Sequence, residues 1–274
     1  MKFMPVQYRE AQSDFFGKRG LSWHVSVCHR KVGGKLESQT FIHILQAGLQ
    51  DSTVVVSIMD HVLRSLKKQH PEIVRSYFRQ DNAGCYHSAQ TILSVDILSK
   101  RSGIQVNDVD FSDPQGGKGS CDRKAAQIKF HVKTYVNEGH SVTNVRELKQ
   151  AIESRGGIPG VRVTVVNVHS KNSKSYKLDG ISCLNNFKFT NGGFTAFRAY
   201  DLGPGKFFPW SSFESVPGNA DFAWFEEESE ILCRRVVLSQ LMMVKAVTPI
   251  LNQSTLIRLM MVQTRAAEDV RQAK

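Results

Sequence analysis

The first part of the chain alternates between apolar and polar positions. In residues 21–28, Leu, Trp and Val alternate with Ser and His, which is typical of a half-buried strand. Gly33 and Gly34 predict a turn, so residues 40–45 are predicted to return as the second arm of an antiparallel hairpin. Residues 2–12 open with an apolar element that predicts an earlier strand. Because the chain starts so close to this element, we expect its beginning to be truncated.

Helical spacing replaces this alternation after Asp51. Apolar residues recur every three or four positions up to about Gln69, and Pro71 lies just beyond, so we predict one helix capped near Asp51. Residues 71–78 are rich in β-branched and aromatic side chains, which predicts a strand that ends where Asp81 begins. In open α/β sheets, ligands gather at that end of a strand.

Helices and strands then alternate. Gly103 and Gly139 each close an apolar stretch with helical spacing, and Thr143 is predicted to cap another helix. The predicted helices cover residues 89–97, 121–136 and 144–153. The predicted strands cover residues 104–111 and 161–168. This order predicts an α/β domain over residues 1–155.

The composition changes twice after that domain. Residues 156–217 carry short aromatic segments between Gly, Asn, Ser and Pro clusters, which predicts a small β-rich extension. An acidic run follows at residues 226–230. Beyond it, repeated Leu, Met and Val residues predict one or two helices, so residues 218–274 are assigned to a helical tail. Such helices could support self-association if they have no core to pack on.

Charge and cysteine usage narrow the possible functions. The formal net charge of +11 and a pI near 9.5 attract polyanions, of which nucleic acid is the commonest. Five scattered cysteines without a Cys-x-x-Cys pair argue against a disulfide framework and a structural zinc site. The sequence contains neither a run of roughly 20 apolar residues nor a signal peptide. We expect an intracellular protein, nuclear or cytoplasmic, without a membrane partner.

Two motifs carry a family resemblance. Asp81-Asn82-Ala83-Gly84 follows the predicted strand, and Pro114-Gln115 leads to Gly119 and then to Asp122 three positions later. Both resemble segments of integrase-type enzymes. Together with the element order, they resemble the ribonuclease H-like fold of transposases, integrases and ribonuclease H. More closely, about residues 1–215 resemble a group of uncharacterised transposon-derived animal proteins. The resemblance implies a mixed sheet of three antiparallel strands followed by alternating helices and strands.

The resemblance also implies a chemistry. Enzymes of this fold cleave or transfer DNA strands with two divalent ions held by three carboxylates, and magnesium or manganese prefers such oxygen ligands. Asp81 and Asp122 would be the catalytic residues and two of the metal ligands. The family's first carboxylate would lie just upstream of Lys2, so Asp14 is the nearest substitute. We therefore expect a nucleic-acid-binding protein, with DNA favoured over RNA, in which ancestral strand cleavage is impaired.

Other interpretations of the same residues remain open. Asp81 could belong to an ordinary turn, and Asp122 could stabilise the first turn of its helix through the helix dipole. A cluster of basic residues could contact phosphates or form a solvated helix face: Lys118, Arg123, Lys124, Lys129 and Lys133. An active nuclease of this fold would need a third carboxylate close to the first two. A non-catalytic protein-interaction module would need neither carboxylate.

Overall fold

The computed structural model describes most of the chain between Lys2 and Phe222. The described residues are 2–9, 11, 20–46, 51–112, 119–166, 175–219 and 222, together with the backbone of 227–228 and 255–262. Within this part of the chain the architecture is mixed α/β, with a β-sheet and helices on both of its faces.

The elements are numbered along the chain. The strands are β1 (Lys2–Phe3), β2 (Leu21–Val32), β3 (Lys35–Leu45), β4 (Ile73–Gln80), β5 (Gln105–Phe111), β6 (Val161–Val166), β7 (Asn186–Thr190), β8 (Gly193–Phe197), β9 (Lys206–Pro209), β10 (Glu227–Glu228) and β11 (Thr255–Val262). The helices are α1 (Ser52–Gln69), α2 (Ala89–Leu93), α3 (Val95–Ser102), α4 (Ser120–Asn137) and α5 (Val145–Glu153).

A strand from far along the chain lies in the centre of the sheet. The strand order is β10-β6-β3-β2-β11-β4-β5-β7-β8-β9. β11 pairs antiparallel with β2 and parallel with β4, and β4 is parallel to β5. β1 pairs with β2 at Leu21 and Ser22, just beyond the point where β11 ends opposite Val25. Strands from all three predicted segments therefore pair in the same sheet.

Local capping explains why several helices begin and end where they do. Asp51 accepts a hydrogen bond from the backbone N–H of Val54 at 2.9 Å, which confirms the predicted start of α1. Gly103 ends α3 in the left-handed conformation, with φ of 67°. The cap of α5 is Asn144 and not the predicted Thr143, because the Asn144 side chain accepts from the N–H of Glu147 at 3.0 Å.

Two apolar cores lie on opposite faces of the sheet. One core joins β3, β4, β5 and β7 to the buried side of α1, with Phe41, Phe78 and Phe187 among its largest side chains. The other joins β2 and β3 to α4 and α5 around Trp23 and Ile128. Along each strand, successive residues alternate between the two faces. The alternation therefore decides which face of the sheet each polar side chain occupies.

The predicted helical tail is wrong over Thr255–Val262, which form β11. A continuous apolar run suits a buried strand as well as a buried helix, and the sequence alone does not decide between them. Here the free edges of β2 and β4 supply hydrogen-bond partners on both sides of the run. Glu227–Glu228 of the predicted tail also form a strand, β10, whereas residues 229–254 and 263–274 lie outside the described residues.

The predicted helix through residues 89–97 is divided. Ser94 is the C-cap of α2 and separates it from α3. Its hydroxyl donates to the carbonyl of Gln90 at 2.7 Å. Such a bond to the preceding turn bends helices. None of the helices in the described part of the chain has the length and apolar character needed to cross a membrane.

We predict that a cysteine placed in β11 will cross-link to β2. Leu259 pairs with Cys28, which is buried and reduced. Directly paired residues of antiparallel strands have Cβ atoms about 4.5–5.5 Å apart, within reach of a disulfide after small adjustment. Leu259→Cys should therefore form an intramolecular disulfide under oxidation, detected by non-reducing electrophoresis and peptide mass spectrometry.

The neighbouring residue provides the control for this cross-link. Arg258 pairs with His29, and a strand alternates its side chains between faces. Arg258→Cys should therefore form no bond to Cys28. Equal cross-linking of both variants, or of neither, would contradict the position of β11.

Candidate nucleic-acid interface

Asp81 lies directly after β4, at the carboxyl end of that strand, as predicted. Its Oδ1 atom accepts the N–H of the next residue, Asn82, at 2.8 Å, and the side chain is half-buried. The backbone N–H groups of Tyr86 and His87 both donate to the carbonyl of Ala83 at 2.9 Å. The loop after β4 is thus closed by its own hydrogen bonds, as a turn of Asp, Asn and Gly favours.

The same loop is tied to a distant segment. The ring of His87 bonds the carbonyl of Leu184 through Nε2 at 2.7 Å and packs on Phe111, with ring centroids 4.4 Å apart. Burial lowers the pKa of His87, so the ring is neutral at physiological pH. His87 therefore links the loop to the segment leading into β7.

Asp122 lies in the first turn of α4 and has a structural partner. Its Oδ2 atom accepts the backbone N–H of Gly119 at 2.9 Å, and Gly119 immediately precedes the helix. A carboxylate at this position satisfies an N–H that the helix leaves unpaired and interacts favourably with the helix dipole. One of the two carboxylate oxygens is therefore already used to start α4.

The predicted metal ligands do not form a complete set in the described part of the chain. No group of three or more His, Cys, Asp or Glu side chains there is arranged to hold a metal ion. Asp14 and Lys118 lie outside the described residues, as does the Pro114-Gln115 motif. The central strand does not supply the third carboxylate, because β11 contains no Asp or Glu. The described residues thus provide Asp81 and Asp122 without a third carboxylate beside them, and we assign no reaction step to a metal.

The predicted basic cluster lies along α4. Arg123, Lys129 and Lys133 are exposed, whereas Lys124 is half-buried and its ammonium donates to Gln127 at 3.0 Å. Burial lowers the pKa of Lys124. The inner face of α4 packs on the core through Cys121, Ala125, Ile128 and Val132. The helix is therefore amphipathic, with its cations on the outer face.

The direction of that basic face follows from one contact. His131 bonds Ser154, just after α5, at 3.2 Å, so His131 marks the side of α4 that faces α5. Lys129 and Lys133 are each two residues from His131, about 200° around the helix. These two lysines therefore lie on the side of α4 away from α5. That side borders the half of the sheet that begins at β4.

A buried polar group near the loop was not predicted as a site. His24 and His43 are fully buried on neighbouring strands, and His43 bonds His61 of α1 through Nε2 at 2.9 Å. The ring of His24 lies 5.5 Å from that of Tyr86, and its Nδ1 is 3.3 Å from the hydroxyl of Ser26. From the alternating pattern of β2, the sequence predicts which face of the sheet His24 occupies. It does not predict that the neighbouring strand places a second histidine on the same face.

Burial keeps these histidines neutral. It lowers the pKa of His24 to about 3 and that of His43 well below the ordinary value, with His61 and His24 adding to the shift of His43. The Nε2 atom of His24 has no hydrogen-bond partner among the described residues. These groups stabilise the fold only in their uncharged form.

The family comparison covers most of the elements described above. The family described as Domain of unknown function (DUF8701) matches residues 2–182. The chain belongs to this family. The DUF8701 segment holds β1 to β6, all five helices, Asp81 and Asp122, whereas β7 to β11 lie beyond it. Searches of curated proteins and of solved structures found no match.

We predict that Asp122→Ala will destabilise the protein by about 0.5–1 kcal/mol, because Gly119 loses its acceptor and α4 its favourable N-terminal charge. Urea unfolding followed by circular dichroism measures the change. Asp122→Asn keeps an oxygen that can accept the bond, so it should lose less. Equal stability of Asp122→Ala and the parent would contradict the capping role.

We predict that the free energy of unfolding will fall as the pH drops below about 6.5. The unfolded chain then binds protons at His24 and His43 that the folded state excludes. The stability that the neutral histidines contribute is fully present above pH 6.5 and is lost as the pH falls towards 3. Each fully titrating histidine lowers the free energy of unfolding by about 1.4 kcal/mol per pH unit. Urea unfolding at several pH values measures this slope.

Substitution separates these histidines from other titrating groups. His24→Gln should make the slope between pH 4 and 6 shallower than that of the parent protein. The slope is the quantity compared, because His24→Gln also changes packing at all pH values. Equal slopes for His24→Gln and the parent would assign the acid sensitivity to other groups.

Proposed function

We propose that this protein binds nucleic acid through the exposed basic face of α4, and that it descends from a ribonuclease H-like transposase whose strand cleavage is impaired. The observation that carries the proposal is the placement of Arg123, Lys129 and Lys133 on the solvent side of one helix. The only acidic residue within that helix, Asp122, is engaged at its N-terminus by Gly119. The face therefore presents positive charge to a polyanion.

The strand next to β4 bears on whether strand cleavage survives. In the ribonuclease H-like enzymes that the chain resembles, the first strand bears the first of the three carboxylates. In this chain β11 lies between β2 and β4, antiparallel to the former and parallel to the latter. Met261 of β11 is the residue paired with Ser26 and with Gln80, the residue before Asp81. A strand without a carboxylate beside Asp81 supports binding in preference to cleavage.

Electrostatics explains what the α4 face would do. Phosphates carry the affinity of most protein–nucleic acid complexes, because each lysine or arginine that contacts one releases a condensed counterion. Lys129 and Lys133 are four residues apart on one side of α4, so both can reach the same backbone. In the described part of the chain neither forms a salt bridge, and their charge is available to a ligand. The net charge of +11 adds long-range attraction.

Phe130 favours a second function, a protein-interaction surface. This side chain is 72% exposed and directly follows Lys129 on α4. A large exposed aromatic residue is common at protein interfaces. If α4 binds a protein, Phe130→Ala should abolish that contact while removal of the lysines changes mainly its salt dependence.

We predict that Lys129→Ala combined with Lys133→Ala will weaken binding to DNA. Loss of two phosphate contacts should lower the slope of log K against log salt by about 1.8 for duplex DNA. Fluorescence anisotropy with a labelled oligonucleotide, repeated at several salt concentrations, gives both the affinity and the slope.

A matched double variant controls for net charge. Lys68 of α1 and Lys100 of α3 are exposed on helices that pack on the opposite face of the sheet from α4. Lys68→Ala with Lys100→Ala removes the same charge and should leave the slope nearly unchanged. Equal losses in the two double variants would assign binding to diffuse charge and contradict a site on α4.

Manganese calorimetry tests the active-nuclease alternative. Tight binding that disappears in an Asp81→Asn, Asp122→Asn double variant would show a working metal site and contradict the proposed impairment. Unchanged or absent heat in both proteins would agree with binding alone.

A further inference from the structure

In the part of the chain that the structure describes, helices cover only half of the sheet face that bears α4. On this side, α4 packs on β2 and β11, and α5 packs on β6 and β3. The helices α1 to α3 pack on the opposite face, in the core that contains Phe78, Val109 and Phe187. From β4 to β9, the α4 side of the sheet thus lies beyond the helices that cover its other half.

Strand pairing shows which side chains share this uncovered surface. Phe78, Val109, Phe187 and Phe194 point into the core on the far face, so their neighbours along each strand point to the α4 side. One row across the strands aligns Tyr77, Asp108, Lys188, Thr195 and Phe207. The next row aligns the exposed Arg79 and the half-buried Asp110 with Asn186 and Phe197, which are buried, and Gly205 packs against Phe197. We call this surface of β4, β5, β7, β8 and β9 the open shelf.

Aromatic side chains and cations alternate on the open shelf. Phe207 is 54% exposed, and Tyr200, in the loop after β8, is 64% exposed. The Lys188 ammonium lies 5.4 Å from the ring centroid of Phe197 and 5.8 Å from that of Tyr200. Tyr200 therefore lies beside the shelf and not on the opposite face. Tyr200 thus combines an exposed ring with a neighbouring cation, and a ligand with phosphates and aromatic bases can use both.

The acidic groups of the shelf are engaged by neighbouring side chains. Asp108 accepts from the buried Asn186 at 3.0 Å, and burial raises its pKa. Asp201 is paired with Lys188 at 2.6 Å. Asp110 lies 3.9 Å from Arg79, whose side chain is 56% exposed. Arg75 is also exposed on β4, so the rim nearest α4 is basic.

The basic side of α4 continues this rim. Lys129 and Lys133 lie on the side of α4 away from α5, which is the side nearer β4. A ligand on the shelf would thus meet cations along α4 and β4, and exposed rings at β8 and β9. A nucleic-acid duplex offers phosphates outside and keeps its bases stacked within, so it cannot use the rings. A single strand offers both phosphates and unstacked bases.

We propose that the open shelf binds single-stranded nucleic acid, with bases stacked on Tyr200 and Phe207 and phosphates held by Arg79, Lys129 and Lys133. This proposal rests on the proposed nucleic-acid function. It adds that the ligand is single-stranded and that the open shelf is the surface that binds it. DNA and RNA share the chemistry that the shelf recognises, because stacking reads the ring of any base.

The test measures anisotropy with a labelled oligo(dT), an oligo(rU) of the same length and a DNA duplex. Tyr200→Ala with Phe207→Ala should weaken binding to both single strands by at least about tenfold, since each of the two stacked bases contributes about fivefold or more. Duplex binding should change less than twofold. Tyr8→Ala with Leu36→Ala removes two exposed apolar side chains elsewhere and should leave all three affinities unchanged.

The outcomes separate the two proposals. If no oligonucleotide binds the parent protein, the proposed function fails. If the parent binds single strands and the Tyr200, Phe207 double variant binds them as tightly, the proposal for the open shelf is wrong. The proposed site on α4 is then unaffected. Ultraviolet cross-linking of oligo(dT) to the unmodified protein gives a readout that does not depend on how the variants fold. Cross-links in peptides that contain Tyr200 or Phe207 support the shelf, and their absence from these peptides contradicts it.

Discussion

The backbone hydrogen bonds of β11 join the two halves of the sheet, and the other features depend on that junction. On one side are β2, β3 and β6 with α4 and α5, and on the other are β4, β5 and β7 to β9. Without β11, the edges of β2 and β4 would leave a row of backbone donors and acceptors unpaired near the core, which proteins avoid. The relative position of α4 and the loop after β4 is therefore set by the backbone of a strand that lies outside the DUF8701 segment.

This junction gives the two faces of the sheet different roles. On the α1 face, the apolar core is continuous from Cys28 of β2 to Phe194 of β8, and the neutral His24 and His43 lie within it. On the α4 face, the core ends with the helices, and the strands beyond carry Arg79, Lys188 and Phe207 into solvent. Among the described residues, an apolar core extends across both halves of the α1 face, whereas on the α4 face it covers only the half that holds α4 and α5.

Much of the fold followed from local patterns, and the part that did not was determined by distant pairing. The capping aspartate of α1, the Gly33-Gly34 turn and the strand before Asp81 are all local signals, and the structure agrees with each. The 255–262 run was predicted as helix because its partners, β2 and β4, are remote in sequence. The site shows the same division. The position of Asp81 was predicted, while the His24–His43 contact and the open shelf required knowledge of which strands are neighbours.

The pairing of β11 also has a consequence for how the chain reaches its native state. Cys28 and Leu259 are opposite each other in the sheet although nearly the whole chain separates them. Such a contact requires closure of a very long loop, and its entropy cost is met before the bonds on both edges of β11 can form. Proteins dominated by distant pairings fold slowly. Until β11 arrives, the apolar edges of β2 and β4 are open to other chains, so this protein should depend on dilute conditions or chaperones during folding.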